Sequence, residues 1–283
     1  MIPVGFEYSR PSTVEEAVAA LAADPDAKVL AGGQSLLPVL RLRLAAPTTL
    51  VDLRDVESLH GVRVAGDDLV IGAMTTHDEI LHDARVAEHA PLIAAATATV
   101  GDRQVRHLGT FGGSLSHADP AGDLPAVACA LDATMVAVGP NGRREIPAAD
   151  FFVDYLTTAL APDEILVEVR VPDTAGWGHR YEKFNRMAQA WSIVGVAALV
   201  RRVDGGVTDT RVALTNMGRR PVRATAVERA LTGTAGDAGA VTAAAGHADE
   251  GAEPPSDVNG AADYRAHLSR VLTRRALTVA VGA

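Results

Sequence analysis

The chain has 283 residues, enough for about two domains, and its 48% hydrophobic and 22% charged residues are the balance of a globular protein. A formal charge of −9 with no basic block argues against a main task of gripping nucleic-acid phosphates. The single cysteine, Cys129, can by itself form no internal disulfide, zinc site or iron–sulfur cluster. No stretch approaches the roughly 18 apolar residues of a membrane-spanning helix. Met1 to Arg10 lacks the charged start and apolar run of a secretory leader, so a cytoplasmic location is expected.

In chain order, Ser12-Thr13-Val14-Glu15 reads as a capping box, and the helical spacing of Val14, Ala17, Val18 and Leu21 carries a helix to about Asp24. A short strand from Lys28 to Ala31 ends in Gly32-Gly33-Gln34-Ser35, with no helix pattern directly after it, and a second strand follows at Thr49 to Leu53. Gly61 to Ala65 and Leu69 to Ala73 flank a hairpin turn at Gly66-Asp67-Asp68. Thr76 with Glu79 caps a short helix, and Pro91 opens an alanine-rich one through Thr99. Gly101 to Asp123 reads as a polar, glycine-rich segment. A hairpin turns at Pro140-Asn141-Gly142, and Ile165 to Val171 alternates as a strand. Beyond a linker at Pro172 to Gly178, Ser192 to Arg202 and Val207 to Asn216 predict a second antiparallel sheet. A helix at Thr225 to Leu231, a surface loop at Gly236 to Gly260 and a helix with a basic stripe at Ala261 to Val281 complete the chain.

Two glycine pairs stand out. Gly32-Gly33 lies at a strand end with Ser35 beside it, and Gly112-Gly113 lies between Thr110 and Ser114, with Asp119 and Asp123 following. Glycines tolerate positive φ and carry no Cβ, so successive amides can converge on an anion. A lone pair is most often a tight turn. Two pairs with hydroxyl neighbours predict one diphosphate held from both sides, with a later carboxylate for a polyol. The spacing is not the G-x-G-x-x-G of a Rossmann nicotinamide site.

At these residues the sequence resembles the FAD-binding medium subunits of the molybdenum hydroxylases, the group of the aerobic carbon monoxide and xanthine dehydrogenases. Leu30-Ala31-Gly32-Gly33-Gln34-Ser35-Leu36-Leu37-Pro38 is similar to the first flavin motif of that family. Gln104-Val105-Arg106, Thr110 to Ser114 and His117 through Pro125 are similar to the second. Tyr181 to Phe184, Met217 to Ala224 and Tyr264 to Arg275 extend the likeness over nearly the whole chain. Gln34 stands where a histidine is frequent, Phe111 where a β-branched aliphatic is frequent, and Ala190-Trp191 where an acidic–tryptophan pair is common.

The resemblance implies an α+β fold. A two-lobed PCMH-type FAD-binding domain would occupy residues 1–175, with a small α/β lobe at about 1–57 and a mixed or antiparallel sheet lobe with helices at 58–175. A C-terminal domain of antiparallel sheet plus helices would follow at 176–283. The cofactor implied is FAD. Lys28, Val29, Leu30, Ala31, Gly32, Gly33, Gln34, Ser35 and Leu36 would surround its diphosphate and ribityl region. Val100, Gly101, Thr110, Phe111, Gly112, Gly113, Ser114 and His117 would complete the pocket, Asp123 would bind polyol hydroxyls, and Leu166 and Lys183 would lie near the ring. No catalytic acid–base residue and no metal ligand is implied on this chain. Molybdopterin and 2Fe–2S clusters would reside on a large and a small partner subunit, in a heterotrimer or its dimer. Electrons from those clusters would pass through this subunit to an external acceptor.

Two other readings remain at this level: a stand-alone flavin oxidoreductase and a non-catalytic nucleotide-binding assembly module. His77, His82, His89 and His117 lack zinc-site spacing and read as solvated or capping residues. No G-x-S-x-G elbow supports a hydrolase. Cys129 reads as an inert core thiol. Trp191 either packs beside the flavin or anchors the second sheet, and Arg265, Arg270, Arg274 and Arg275 read as a solvated helix face or a subunit contact.

Overall fold

Alternation of apolar residues, more than any single motif, sets the layers of this chain, whose computed structural model describes residues 2–282. β1 (Glu7–Ser9), α1 (Val14–Ala23), β2 (Lys28–Leu30), α2 (Leu36–Arg41) and β3 (Thr49–Asp52) form a small lobe, with β3 paired in parallel between β1 and β2. The cap of α1 is Thr13, one residue later than the capping-box spacing predicts. Its hydroxyl accepts from Glu16 N, while the Glu16 carboxylate reaches back to the Ser12 amide and hydroxyl. The helix α2 directly after the glycine turn is a second departure, because Leu36-Leu37-Pro38 places proline in a first turn that needs no donor there.

The middle of the chain builds an antiparallel sheet and a helical layer. Its elements are β4 (Val62–Ala65), β5 (Asp68–Gly72), α3 (His77–His82), α4 (Ala84–His89), α5 (Pro91–Thr97), α6 (Arg103–Leu108), α7 (Phe111–His117) and α8 (Asp123–Ala130). They continue with β6 (Thr134–Gly139), β7 (Gly142–Pro147), α9 (Ala148–Phe151), β8 (Phe152–Asp154), β9 (Thr157–Thr158) and β10 (Ile165–Pro172). The five-stranded sheet runs β4-β5-β10-β6-β7, so the two predicted hairpins are joined by β10. The alternation of β10 is broken by a bulge between Leu166 and Glu168. Beyond it Glu168 meets Arg63, Arg143 and Arg170. Burial pushes the Glu168 carboxyl up, but the three guanidiniums outweigh it and hold the group below the usual carboxylate value.

The last strands are β11 (Gly178–Phe184), β12 (Val194–Val203), β13 (Gly206–Thr215) and β14 (Val222–Arg223), followed by α10 (Thr225–Leu231), α11 (Ala238–Ala245) and α12 (Ala262–Gly282). β12 is covered on both faces, as its near-continuous apolar run requires. Val194, Val196, Ala198 and Val200 pack with Leu268, Leu272 and Leu277 of α12. Ala197 and Leu199 join Leu124 and Val127 of α8 in the core of the preceding half, together with Tyr181. Each fully buried Val or Leu among them contributes about 1.5–3 kcal/mol, and each Ala less. The architecture is α+β, as the sequence implies, and the core is continuous from α8 into β12.

Two surface assignments are corrected. The expected loop at 236–260 contains α11, whose Asp237 carboxylate caps Ala240 N and whose Val241, Ala244 and Ala245 are buried. Arg265 is fully buried, not solvated. It donates to the carbonyls of Ile193 and Gly260 and pairs with Asp257 at 2.7 Å.

Cys129 lies in α8, and burial, its main perturbation, pushes its thiol up to about 12. Because only the thiolate attacks disulfide reagents, labelling of the folded chain at pH 8 is expected to be roughly a thousandfold slower than in denaturant. A stopped-flow comparison of the two rates checks this, and equal rates would contradict it.

Candidate functional site

The site begins where β2 stops. Gly33 has φ of +73°, which turns the chain sharply out of the sheet and into α2. The backbone N–H groups of Gly32, Gly33, Gln34, Ser35 and Leu36 find no hydrogen-bond partner among the described residues. The Gln34 side chain folds back onto the Gly32 carbonyl at 3.1 Å and leaves these amides uncovered. Ala31 through Leu36 are all half-buried.

The second glycine motif is pressed against the first. A Cβ on Gly32 would stand 2.1 Å from the Leu108 carbonyl oxygen and 2.7 Å from Gly109 Cα, so only glycine lets the two backbones meet. A Cβ on Gly113 would stand 3.4 Å from that of Ala31. Thus the two motifs, some eighty positions apart in the sequence, form one seam.

The second motif differs from its expected form. Thr110 to Ser114 is the capped first turn of α7, and its amides are already used. Phe111 N donates to Thr75 O at 2.9 Å, Gly112 N to Ala73 O at 2.8 Å, Gly113 N to Thr110 Oγ1 at 3.1 Å and Ser114 N to Thr110 O at 3.0 Å. It is no second amide nest. Glycine at 112 serves the fold, since a Cβ there would lie 2.5–2.7 Å from Ala73. Phe111 is a core residue. From this side Gly113 faces the seam at Ala31, and Ser114, the next residue, is half-buried like it.

Residues from β11 and the loop after it gather around Asp123, the first residue of α8. Lys183 Nζ donates to Asp123 Oδ2 at 2.7 Å and to the Thr99 carbonyl at 3.1 Å. Tyr181 and Ser192 hydroxyls donate to Asp123 Oδ1, each at 2.7 Å. Burial, followed by the adjacent carboxylate, raises the Tyr181 phenol well above its ordinary value, so it remains a donor. In the loop after β11, Gln189 donates to Asp102 at 3.1 Å, and the Trp191 ring sits 6.5 Å from that of His117. Trp191 is 53% exposed and therefore does not anchor the sheet.

Not every candidate residue comes to the seam. Lys28 is exposed at the far end of β2, and Val29 and Leu30 pack into cores. Leu166 is a core residue of β10, beneath α7. Val100 and Gly101 are half-buried, with Gly101 at φ +49° and the Val100 carbonyl bound by Arg106 at 2.9 Å. Sequence reasoning missed Ser192, Gln189 and the donor role of Tyr181. The i, i+2 spacing of Tyr181 and Lys183 on one strand face is the signal that could have found the last.

His77 is also corrected. It is buried against Gly109, where the motifs meet, with its Nδ1 unpartnered, and is neither solvated nor a cap. Among the described residues no group of histidine, cysteine and carboxylate side chains could hold a metal ion.

With this geometry in view, two family models match the chain. Residues 4–174 match the FAD binding domain in molybdopterin dehydrogenase, and residues 179–280 the CO dehydrogenase flavoprotein C-terminal domain. The chain is 42% identical to the carbon monoxide dehydrogenase medium chain of Hydrogenophaga pseudoflava, over 99% of this chain and 98% of that one. It is 37% identical to the corresponding medium chain of Afipia carboxidovorans, over 98% and 97%. Its structure is similar to that of the carbon monoxide dehydrogenase from Hydrogenophaga pseudoflava that lacks the Mo-pyranopterin moiety, with a TM-score of 0.97 and 43% identity over 100% of this chain and 99% of that one.

Burial, helped by the Arg106 charge, lowers the His77 pKa from 6.5 to about 4. The unfolded chain therefore binds a proton at a pH where the folded one does not. Stability present above pH 6.5 is lost as pH falls toward 4, by about 3 kcal/mol. Urea unfolding across that window is expected to show this loss, and His77→Phe to lack it.

Proposed function

Since the chain belongs to the FAD-binding medium subunits of the molybdenum hydroxylases, and is thus an oxidoreductase subunit, we propose that its FAD lies along the seam between the two glycine motifs. The observation that carries this is the run of unpartnered amides from Gly32 to Leu36, held open beside the second motif by the glycine contact at Leu108–Gly109. Unpartnered amides that follow a glycine pair suit an anionic diphosphate, and they do so despite the chain's charge of −9, because backbone dipoles act at short range. The fit is specific to one side. Gly32 to Leu36 supply amides and the Ser35 hydroxyl, whereas Gly113 and Ser114 supply clearance and one hydroxyl. Asp123 accepts from polyol hydroxyls, and Lys183, beside it, favours negative charge nearby.

When bound, the flavin supplies reversible electron chemistry that no side chain here offers. The protein's own residues bind it, orient it and limit its contact with water. His117 lies beside the exposed Trp191, and in this reading an external acceptor approaches that pair. In this reading the chain is the electron-transfer subunit of a complex. A large partner carries molybdopterin, a small partner carries 2Fe–2S clusters, and the three form a heterotrimer or its dimer. No helix among the described residues is long and apolar enough to cross a membrane.

Purified full-length chain is expected to retain or take up FAD. Gly33→Val places a β-branched residue at φ +73°, and Gly113→Val drives a Cβ to 2.6 Å from Thr110 Oγ1. Both variants are expected to lose flavin absorbance while keeping a wild-type circular dichroism spectrum. Flavin content unchanged in both, or a wild type that takes up no FAD, would sink the assignment. Affinity purification from the native host should recover a molybdopterin chain and an iron–sulfur chain. Recovery of a lone chain that turns over a small substrate would refute the partner assignment.

A further inference from the structure

Asp123 is the first residue of α8 and is 5% exposed. A carboxylate offers about four lone-pair sites, two on each oxygen. Tyr181 and Ser192 fill both sites of Oδ1, and Lys183 fills one of Oδ2. The one acceptor site left is therefore on Oδ2, beside the ammonium. Two neutral hydroxyls and one cation leave the group electrically balanced, and the remaining place suits another neutral donor such as a sugar hydroxyl.

All three donors belong to the segment after residue 177, whereas Asp123 and Thr99 belong to the segment before it. The donors are themselves fixed. The Tyr181 phenol reaches its place because residue 195 is glycine, where a Cβ would stand 2.6 Å from the phenol oxygen. The Ser192 carbonyl accepts from Asn216 Nδ2 at 2.7 Å, and the Asn216 amide donates to Pro120 O at 2.7 Å. A closed circuit thus runs from Asp123 through Ser192, Asn216 and Pro120 back to the turn preceding α8.

We infer that Tyr181 and Ser192 are positioning residues of the cofactor site, which by holding Oδ1 of Asp123 make docking of the β11–β14 sheet and retention of FAD one coupled event. The inference rests on the placement of FAD proposed above. Coupling of this kind is reciprocal: whatever factor the docked sheet adds to cofactor affinity, bound cofactor adds to docking. A hydroxyl that merely stabilised the fold would lower the unfolding midpoint of the apo-chain and leave the affinity of the folded fraction unchanged.

The test uses full-length chain freed of flavin and titrated with FAD by fluorescence quenching. Tyr181→Phe and Ser192→Ala are each expected to raise the dissociation constant about tenfold, the low end of what a hydrogen bond to a charged group contributes. Ser192→Thr, which keeps the hydroxyl, is expected to restore it. Hydrogen exchange should show amides of Gly178–Phe184 gaining protection when FAD is added to wild type. If wild type binds FAD but both variants bind equally tightly, the coupling is refuted while the placement of FAD survives. Unaltered exchange in Gly178–Phe184 on FAD binding refutes it too. A wild type that binds no FAD refutes both. Should Tyr181→Phe not fold, the Ser192→Ala and Ser192→Thr pair decides.

Discussion

A carboxylate almost withdrawn from water must be met by donors, because leaving it unpaired would cost several kcal/mol. Asp123 is such a group, and its three donors come from β11 and the residue pair leading into β12. Satisfying it obliges the C-terminal sheet to lie against α8. Once there, Ala197, Leu199 and Tyr181 complete the apolar cluster around Leu124 and Val127. Polar satisfaction sets the register and apolar burial supplies most of the energy. Asp123 is thus the side chain that joins the two parts of the chain.

The opposite condition marks the turn after β2. At α7 every amide of the first turn has a partner, which ties the helix to Ala73, Thr75 and its own cap. From Gly32 to Leu36 none does among the described residues. Two motifs that look alike as glycine pairs therefore do different work. Gly112 lets a helix approach the end of β5, Gly32 lets two backbones touch, and Gly33 turns the amides outward. This division follows from which groups the fold consumes and which it leaves over.

Much of this was legible in the residues. The hairpins at Gly66 and Pro140-Asn141-Gly142, the Thr76–Glu79 capping box and the helix at Thr225–Leu231 appear where local turn chemistry and periodicity put them. The misses share a cause. The helix α7 was hidden because Gly-Gly is poor helix material, about 1 kcal/mol per residue below alanine, and tertiary contacts at Ala73 override that propensity. α11 was hidden by its composition, although Asp237 and the alanines that follow are a cap and a strong helix former. Arg265 was assigned to a solvated face because arginine is seldom fully buried. Only the Ile193 and Gly260 carbonyls and Asp257, brought together by folding, make its burial tolerable.

By itself the sequence determined the two glycine motifs and their family likeness, the absence of any cluster-forming cysteine set, and the hairpins and caps set by local turn chemistry. These are local facts, written in residues a few positions apart. The tertiary structure decided what distant residues do to one another. It set Gly32 against Gly109, used the amides of α7 and left those before α2 free. It also gave Asp123 to Tyr181, Lys183 and Ser192 across some sixty positions. A hydrogen bond or a backbone contact depends on separation in space, and one chain position records neither its partner nor whether its amide is already taken.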